Sequence, residues 1–152
     1  MAYEFKVVRR VEFSETDMAG IVHFSNFFKY METAEHAFYR SLGFSVIMNH
    51  LDPPLGFPRV HADCDYKKPL RFEDNLEIHL LVKEKRSRVL SYLFRFNKLS
   101  PPGAPDEPIL EIARGGLTVV CVSHAPGVKM EAAPIPPELA EKIEVAPAHL
   151  LA

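Results

Sequence analysis

Asp17 is the residue whose surroundings could do chemistry. It stands in the stretch Glu15-Thr16-Asp17-Met18-Ala19-Gly20-Ile21-Val22-His23-Phe24-Ser25-Asn26, which puts one carboxylate and one glycine in a short connection directly before an apolar helix pattern. An aspartate close to a glycine in a loop is ordinarily a turn former that hydrogen-bonds its own backbone. A second use arises because the first amides of a helix lack intrahelical partners and carry the positive end of its dipole, so an oxyanion formed near Asp17 would be stabilised. A carboxylate beside an electrophilic carbonyl either attacks it or draws a proton from water. The chemistry this arrangement suits is acyl transfer.

The other chemistry-bearing residues each have a plainer reading beside the functional one. His23 could be a base or a substrate contact, but a lone histidine near an apolar stretch is more often packed and hydrogen-bonded. Glu32, Glu35 and His36 fall within about one helical turn, yet with no further ligand set they read as a solvated or paired helix face rather than a metal site. His61, Asp63 and Asp65 share one strand face, the default polar face of an antiparallel strand. Lys83, Lys85, Arg86 and Arg88 crowd into six residues against a single Glu84, either a solvated hairpin turn or a patch that pairs with phosphates. Cys64 and Cys121 have no CxxC neighbour and read as small strand residues.

These residues need elements to position them. Residues 4–13 alternate, with Phe5, Val7, Val11 and Phe13 on one face, which predicts a first strand. Ser14 to His23 lacks a period and reads as a connection whose glycine, Gly20, accommodates a turn. From Phe24 to Leu42, apolar residues recur at three and four and predict about five turns of helix, with Ser25 or Asn26 able to cap its start and Gly43 at its C-terminal end. Tyr30, Ala37 and Tyr39 widen the apolar stripe, so the helix should be wrapped by a sheet. Residues 44–58, with Pro53, Pro54, Gly56 and Pro58, form a connector.

Four strands follow. Val60 to Lys67 alternates until Pro69 ends it or marks a bulge. Leu76 to Lys83 and Val89 to Lys98 flank a short basic link and predict an antiparallel hairpin. After a proline-rich loop, Ile109 to Ser123 is the last strand, with Gly115-Gly116 inside it where a bulge or a close backbone approach is expected. Strand, long helix and then four strands is an α+β order, a curved antiparallel sheet burying one central helix. Residues 1–124 make that domain. Residues 125–152 form a proline-rich C-terminal tail, weakly ordered apart from a short helix near Glu138 to Ile143.

Composition limits the alternatives. A chain of 152 residues, 47% apolar and 25% charged, suits one core. A formal charge of −2 and a pI near 6.4 give no global attraction to nucleic acid or to an anionic membrane. There is no long apolar run and no signal-peptide pattern at the start, so a cytoplasmic protein is expected.

The pattern D-x-x-G-I-V-x-F-x-N-F, from Asp17 through Gly20, Phe24 and Asn26, resembles the 4-hydroxybenzoyl-CoA thioesterase family of hotdog-fold enzymes. Asp65-Tyr66-Lys67-Lys68-Pro69 with Asp74, and the Lys83-Glu84-x-Arg86 turn, extend the likeness over roughly residues 5–124. The resemblance implies a hotdog fold, an antiparallel sheet wrapped around the long helix, paired into a homodimer and often a dimer of dimers, with the active site at the dimer interface. It implies that Asp17 is the catalytic carboxylate and that the backbone amide of Phe24, in the turn that Gly20 permits, polarises the thioester carbonyl. His23 and Asn26 would contact substrate, and Lys85, Arg86 and Arg88 would be candidates for the phosphates of an acyl-CoA. Coenzyme A would then enter as part of the substrate, with no separate cofactor and no metal.

Many relatives acting on short acyl groups carry a histidine where Phe24 stands. The phenylalanine looks more like the branch that hydrolyses aromatic thioesters such as 1,4-dihydroxy-2-naphthoyl-CoA. Two other readings stand beside the thioesterase: a hotdog dehydratase or hydratase, and a non-catalytic acyl-CoA-binding protein.

Overall fold

The computed structural model describes residues 1–152. In chain order its strands are β1 (Glu4–Arg10), β2 (Leu55–Gly56), β3 (Arg59–Tyr66), β4 (Asn75–Lys85), β5 (Val89–Leu99), β6 (Pro108–Val120), β7 (Val122–Ser123) and β8 (Glu131–Ala132). Its helices are α1 (Asn26–Ser41) and the short α2 (Pro137–Ala140). Five strands form one sheet in the order β1-β4-β5-β6-β3, and β2, β7 and β8 form a small second sheet. Every pairing in both sheets is antiparallel.

Helix α1 lies in the concave face of the large sheet. Its Phe27, Tyr30, Met31, Ala34 and Phe38 join one core cluster with Ile78, Leu80, Tyr92, Phe94 and Phe96, and burying each such large side chain contributes about 1.5–3 kcal/mol. This is the hotdog arrangement that the resemblance implied. The helix stops where Gly43, at φ +89°, lets the chain turn back. Its amide donates to Arg40 O and that of Phe44 to Tyr39 O, the paired bonds of a Schellman cap.

Three expectations change in detail, and the one that left a choice open, at Gly115-Gly116, is met by its second alternative. The first strand ends at Arg10, because Glu12 and Glu15 close a capping box around a 3-10 turn at Phe13–Glu15; Val11 is buried but Phe13 is 73% exposed. Neither Ser25 nor Asn26 caps α1 with its side chain; the first-turn amides of Asn26, Phe27 and Phe28 instead reach back three residues to His23, Phe24 and Ser25 carbonyls. Gly115 and Gly116 carry no bulge, only a close approach. A Cβ at Gly115 would stand 2.8 Å from Met31 Sδ and 3.0 Å from Asp63 O, so α1 rests on the sheet where that side chain is missing. The proline-rich tail is ordered and packed: Ile135, Leu139, Ile143 and Ala146 are buried. Backbone bonds from Ala2 N to Lys142 O, Glu144 N to Ala2 O and Ala146 N to Val82 O tie it to the segment ahead of β1 and to β4.

One polar group lies deep in the core. Glu35, on α1, has no solvent exposure, and its Oε1 accepts from Arg59 Nη2 at 2.6 Å while Oε2 has no partner. Burial, more than any other influence, pushes this carboxyl above its ordinary range, and Arg59 partly offsets it. Arg59 opens β3, so the pair ties the sheet edge to the middle of the helix.

Candidate active site

The chain from Glu15 to Asn26 is held in place by its backbone. Asp17 N donates to Ile21 O at 2.8 Å and Gly20 N to Asp17 O at 3.0 Å, closing a turn that needs the left-handed φ of +79° at Gly20. Asp17 Oδ1 accepts from Ala19 N at 2.8 Å and Ile21 N at 3.4 Å. The turn-forming habit of aspartate is therefore realised, but it occupies only one carboxylate oxygen. Val22 N donates to Leu70 O at 2.7 Å and Ile21 bridges Arg71, so the segment before β4 fixes this loop from outside.

The entry to α1 is braced by Glu15 O, which receives His23 N at 2.9 Å and Asn26 Nδ2 at 2.8 Å. Asn26 thus spends a side-chain donor on the scaffold. His23 is exposed; its Nδ1 meets Ser25 Oγ at 2.7 Å and its ring stacks on Phe24 with centroids 4.7 Å apart. The amide of Phe24 makes no hydrogen bond within the chain. This amide, two residues before the helix, is thus an unpaired donor on the loop that carries Asp17, whereas the helix's own first-turn amides are engaged.

Asp17 and Phe24 line one cavity of about 420 Å³ together with Ile21, Val22, Phe27, Tyr66, Lys67, Lys68, Pro69 and Leu70. Phe24 is 61% exposed, Phe27 and Tyr66 meet edge to face, and the Tyr66 hydroxyl donates to Phe24 O at 2.9 Å. A carboxylate with a bare oxygen, an unpaired amide and an aromatic wall can hold a carbonyl, stabilise charge on its oxygen and deliver a base or nucleophile to its carbon. No group of three or more His, Cys, Asp or Glu side chains is placed to share a metal ion.

The basic turn is elsewhere. Tyr66, Ala113, Phe96 and Ile78 lie at one level of the sheet, and Arg59, Val119, Leu90 and Lys85 at another, about 20 Å away by strand rise. Within one chain, Asp17 and the residues Lys85, Arg86 and Arg88 therefore occupy opposite ends of the sheet. Lys85 Nζ donates to Ala140 O and Ile143 O, both at 2.7 Å, and Arg86 pairs with Glu84. Arg88 is exposed with no ion pair. Sequence reasoning missed that Tyr66 and Leu70 complete the site, because their closeness to Phe24 and Val22 comes from sheet topology; the signal available was the Asp65–Pro69 motif, without its location.

A family model described as the thioesterase-like superfamily matches residues 11–143. A protein of Aquifex aeolicus described as a putative esterase is 47% identical over 76 residues, 50% of this chain and 59% of that protein. A 1,4-dihydroxy-2-naphthoyl-CoA hydrolase of Prochlorococcus marinus is 30% identical over 100 residues, 59% of this chain and 65% of that enzyme. The chain thus spans somewhat less than two thirds of the length of these curated relatives. The solved structure of a gentisyl-coenzyme A thioesterase superimposes with a TM-score of 0.70 at 32% identity, covering 88% of this chain and 98% of that one.

Proposed function

The chain belongs to the thioesterase-like superfamily, and from that membership we propose that it hydrolyses an acyl-CoA thioester to the carboxylic acid and free CoA. The observation that carries the reading is the joint presence of Asp17 and the unpaired Phe24 amide on one apolar-walled cavity. Asp17 acts on the thioester carbonyl carbon, directly as a nucleophile or through a water molecule whose proton it takes. The Phe24 N–H, assisted by the dipole of α1, receives the oxyanion. Collapse breaks the C–S bond and CoA leaves as the thiolate, which takes up a proton, from Asp17 where a water was activated and from solvent after direct attack. In the direct route a water then cleaves the acyl–Asp17 anhydride to the carboxylic acid and restores the carboxylate. Gly20 contributes through the turn that presents Asp17, and Asn26 through the Glu15 carbonyl it holds.

The acyl group is aromatic in this proposal. Phe24, with His23 stacked behind it, and the edges of Phe27 and Tyr66 offer a flat acyl group aromatic partners, and such pairs add about 0.5–1.5 kcal/mol beyond area burial. The related 1,4-dihydroxy-2-naphthoyl-CoA and gentisyl-CoA enzymes support it.

The working unit we propose is a homodimer, joined further as a dimer of dimers. Strand β6, which covers most of Ile109–Ser123, is paired on both sides, and the large sheet ends at β1 and at β3; β3, the neighbour of β6, is eight residues long and a ready template for a second copy. Antiparallel pairing of β3 with its counterpart would bring the partner's basic turn to the Asp17 end of this chain. Arg86 and Arg88 would then meet the CoA phosphates across the interface, while Lys85 secures the C-terminal segment. No helix is long and apolar enough to cross a membrane, and free Cys64 and Cys121 suit the reducing cytoplasm we propose as the site of action. Thiol release from aromatic, short-chain and long-chain acyl-CoAs tests the proposal: preference for an aromatic member supports it, and binding of the esters without turnover would replace it with a binding protein. A stable monomer in light scattering would count against the shared site.

A further inference from the structure

We infer that Tyr66 is a positioning residue for the Phe24 amide: its hydroxyl holds the Phe24 carbonyl and so fixes the peptide turn on which the oxyanion donor is carried. This rests on the thioesterase reading above and names a residue that the carboxylate-and-amide description leaves out.

The two sides of Phe24 are anchored very differently. On the N-terminal side, His23 N is bound to Glu15 O at 2.9 Å and His23 O receives Asn26 N at 2.9 Å. On the C-terminal side, the only other donor to the Phe24 carbonyl is Phe27 N, at a long 3.4 Å. Tyr66 Oη at 2.9 Å is the short bond there. Without it, rotation about the two soft backbone dihedrals of Phe24 is restrained only weakly, because its side chain is 61% exposed and packs chiefly on His23.

Tyr66 is suited to the task. It is the last residue of β3, paired with Ala113, and its ring lies edge to face on Phe27 with centroids 5.1 Å apart and planes at 78°. Phe27 in turn is buried and meets Phe96 and Tyr30 in the same manner. The hydroxyl is therefore mounted on a ring packed against the core and reaches the one carbonyl of the loop, that of Phe24, which the backbone bonds hold only at 3.4 Å. Burial pushes the Tyr66 phenol up to about 12, so it remains a proton donor throughout the neutral range. Because the hydroxyl donates to a carbonyl of the protein, its effect on the reacting carbonyl passes through the backbone of Phe24.

The test is Tyr66→Phe, which keeps the ring on Phe27 and removes one oxygen. Misplacing a reacting group by about an ångström costs up to about a hundredfold, so kcat on a turned-over aromatic acyl-CoA is expected to fall about tenfold or more, with KM and melting temperature little changed. The second readout is the carbonyl stretch of that thioester bound in an Asp17→Asn background, where turnover is blocked. The Phe24 amide should draw the band to lower frequency, and Tyr66→Phe should return it part of the way toward its value in water. A kcat within threefold of wild type, or a loss of kcat with the carbonyl band unmoved, would overturn the inference. Failure of the underlying reading looks different: Asp17→Asn would then retain turnover whatever Tyr66 does.

Discussion

Removing Arg59 should uncover a charge that the core cannot solvate. Glu35 is fully buried, with one oxygen 2.6 Å from Arg59 Nη2 and the other unpartnered, whereas the Arg59 side chain keeps 28% of its surface in water. Breaking a buried pair by deleting one partner costs about 3–5 kcal/mol. Arg59→Met also loses the 3.1 Å bond from Nη1 to Phe57 O, but the pair is only partly desolvated, so we take the low end, about 3 kcal/mol at neutral pH. The reverse deletion is milder. Glu35→Met leaves an arginine that can turn to water and to Glu32, which already lies 3.4 Å away, for a cost of about 1 kcal/mol. The double variant, with an apolar pair in place of the ions, should return to within about 1 kcal/mol of wild type.

The pH dependence carries a sign. Burial holds the Glu35 carboxyl above its ordinary value and Arg59 draws it back, so Arg59→Met raises it further. A raised acid binds more protons folded than unfolded, and stability falls as pH rises. The deficit of Arg59→Met should therefore be smallest in the acid range, where the carboxyl is protonated in the folded protein, and grow as pH rises through neutral. Urea unfolding of the four proteins at several pH values, at one fixed protein concentration, reads all of this. An Arg59→Met cost below that of Glu35→Met, or one that does not grow with pH, would mean that Arg59 does not neutralise a buried Glu35 charge.

Three further outcomes follow from other parts of the fold. Gly115→Ala should destabilise by about 1–3 kcal/mol, because its Cβ would stand 3.0 Å from the Asp63 backbone carbonyl, which cannot swing aside as Met31 can; thermal unfolding measures it. Gly20→Ala should cost about 1–2 kcal/mol and lower kcat with it. Nothing lies within 4 Å of that Cβ and the strain comes from φ +79° alone, so Gly20→Asn should lose less than Gly20→Ala in the same melts. Glu111 is held down to about 2, foremost by Arg114 and then by Lys67. A lowered acid stabilises above its unfolded value and loses that contribution as pH falls, so Glu111→Gln should flatten the decline in stability between about pH 4.5 and 2.

The architecture was largely legible because its period is strong. The three-and-four spacing from Phe24 to Leu42 and the alternation of Leu76 to Lys83 and Val89 to Lys98 mark α1, β4 and β5 to within a few residues, since one buried face dictates each. What misled was local polar chemistry. Val11 and Phe13 continue the period of β1, yet the Glu12–Glu15 box turns the chain before Phe13 can pack. In the tail, prolines suggested weak order, while the few apolar residues among them, Ile135, Leu139 and Ile143, were enough to fill the core. At the site, Asp17, Gly20 and Phe24 are neighbours in sequence and could be read together. The bond from Tyr66 to Phe24 crosses 42 residues, and no local spacing encodes it. The separation of Lys85, Arg86 and Arg88 from Asp17 is a matter of strand direction, visible only once the register is known.

In the proposed reaction the Asp17 carboxylate turns over an acyl-CoA thioester beside the Phe24 amide. Asp17→Asn keeps the shape of the side chain and an oxygen able to accept from Ala19, so the turn survives while the base and nucleophile are lost. Thiol release by wild type and Asp17→Asn, side by side on an aromatic acyl-CoA, should differ by about a hundredfold to ten-thousandfold in kcat. A difference below about tenfold, in a variant that still binds the ester, would contradict the account.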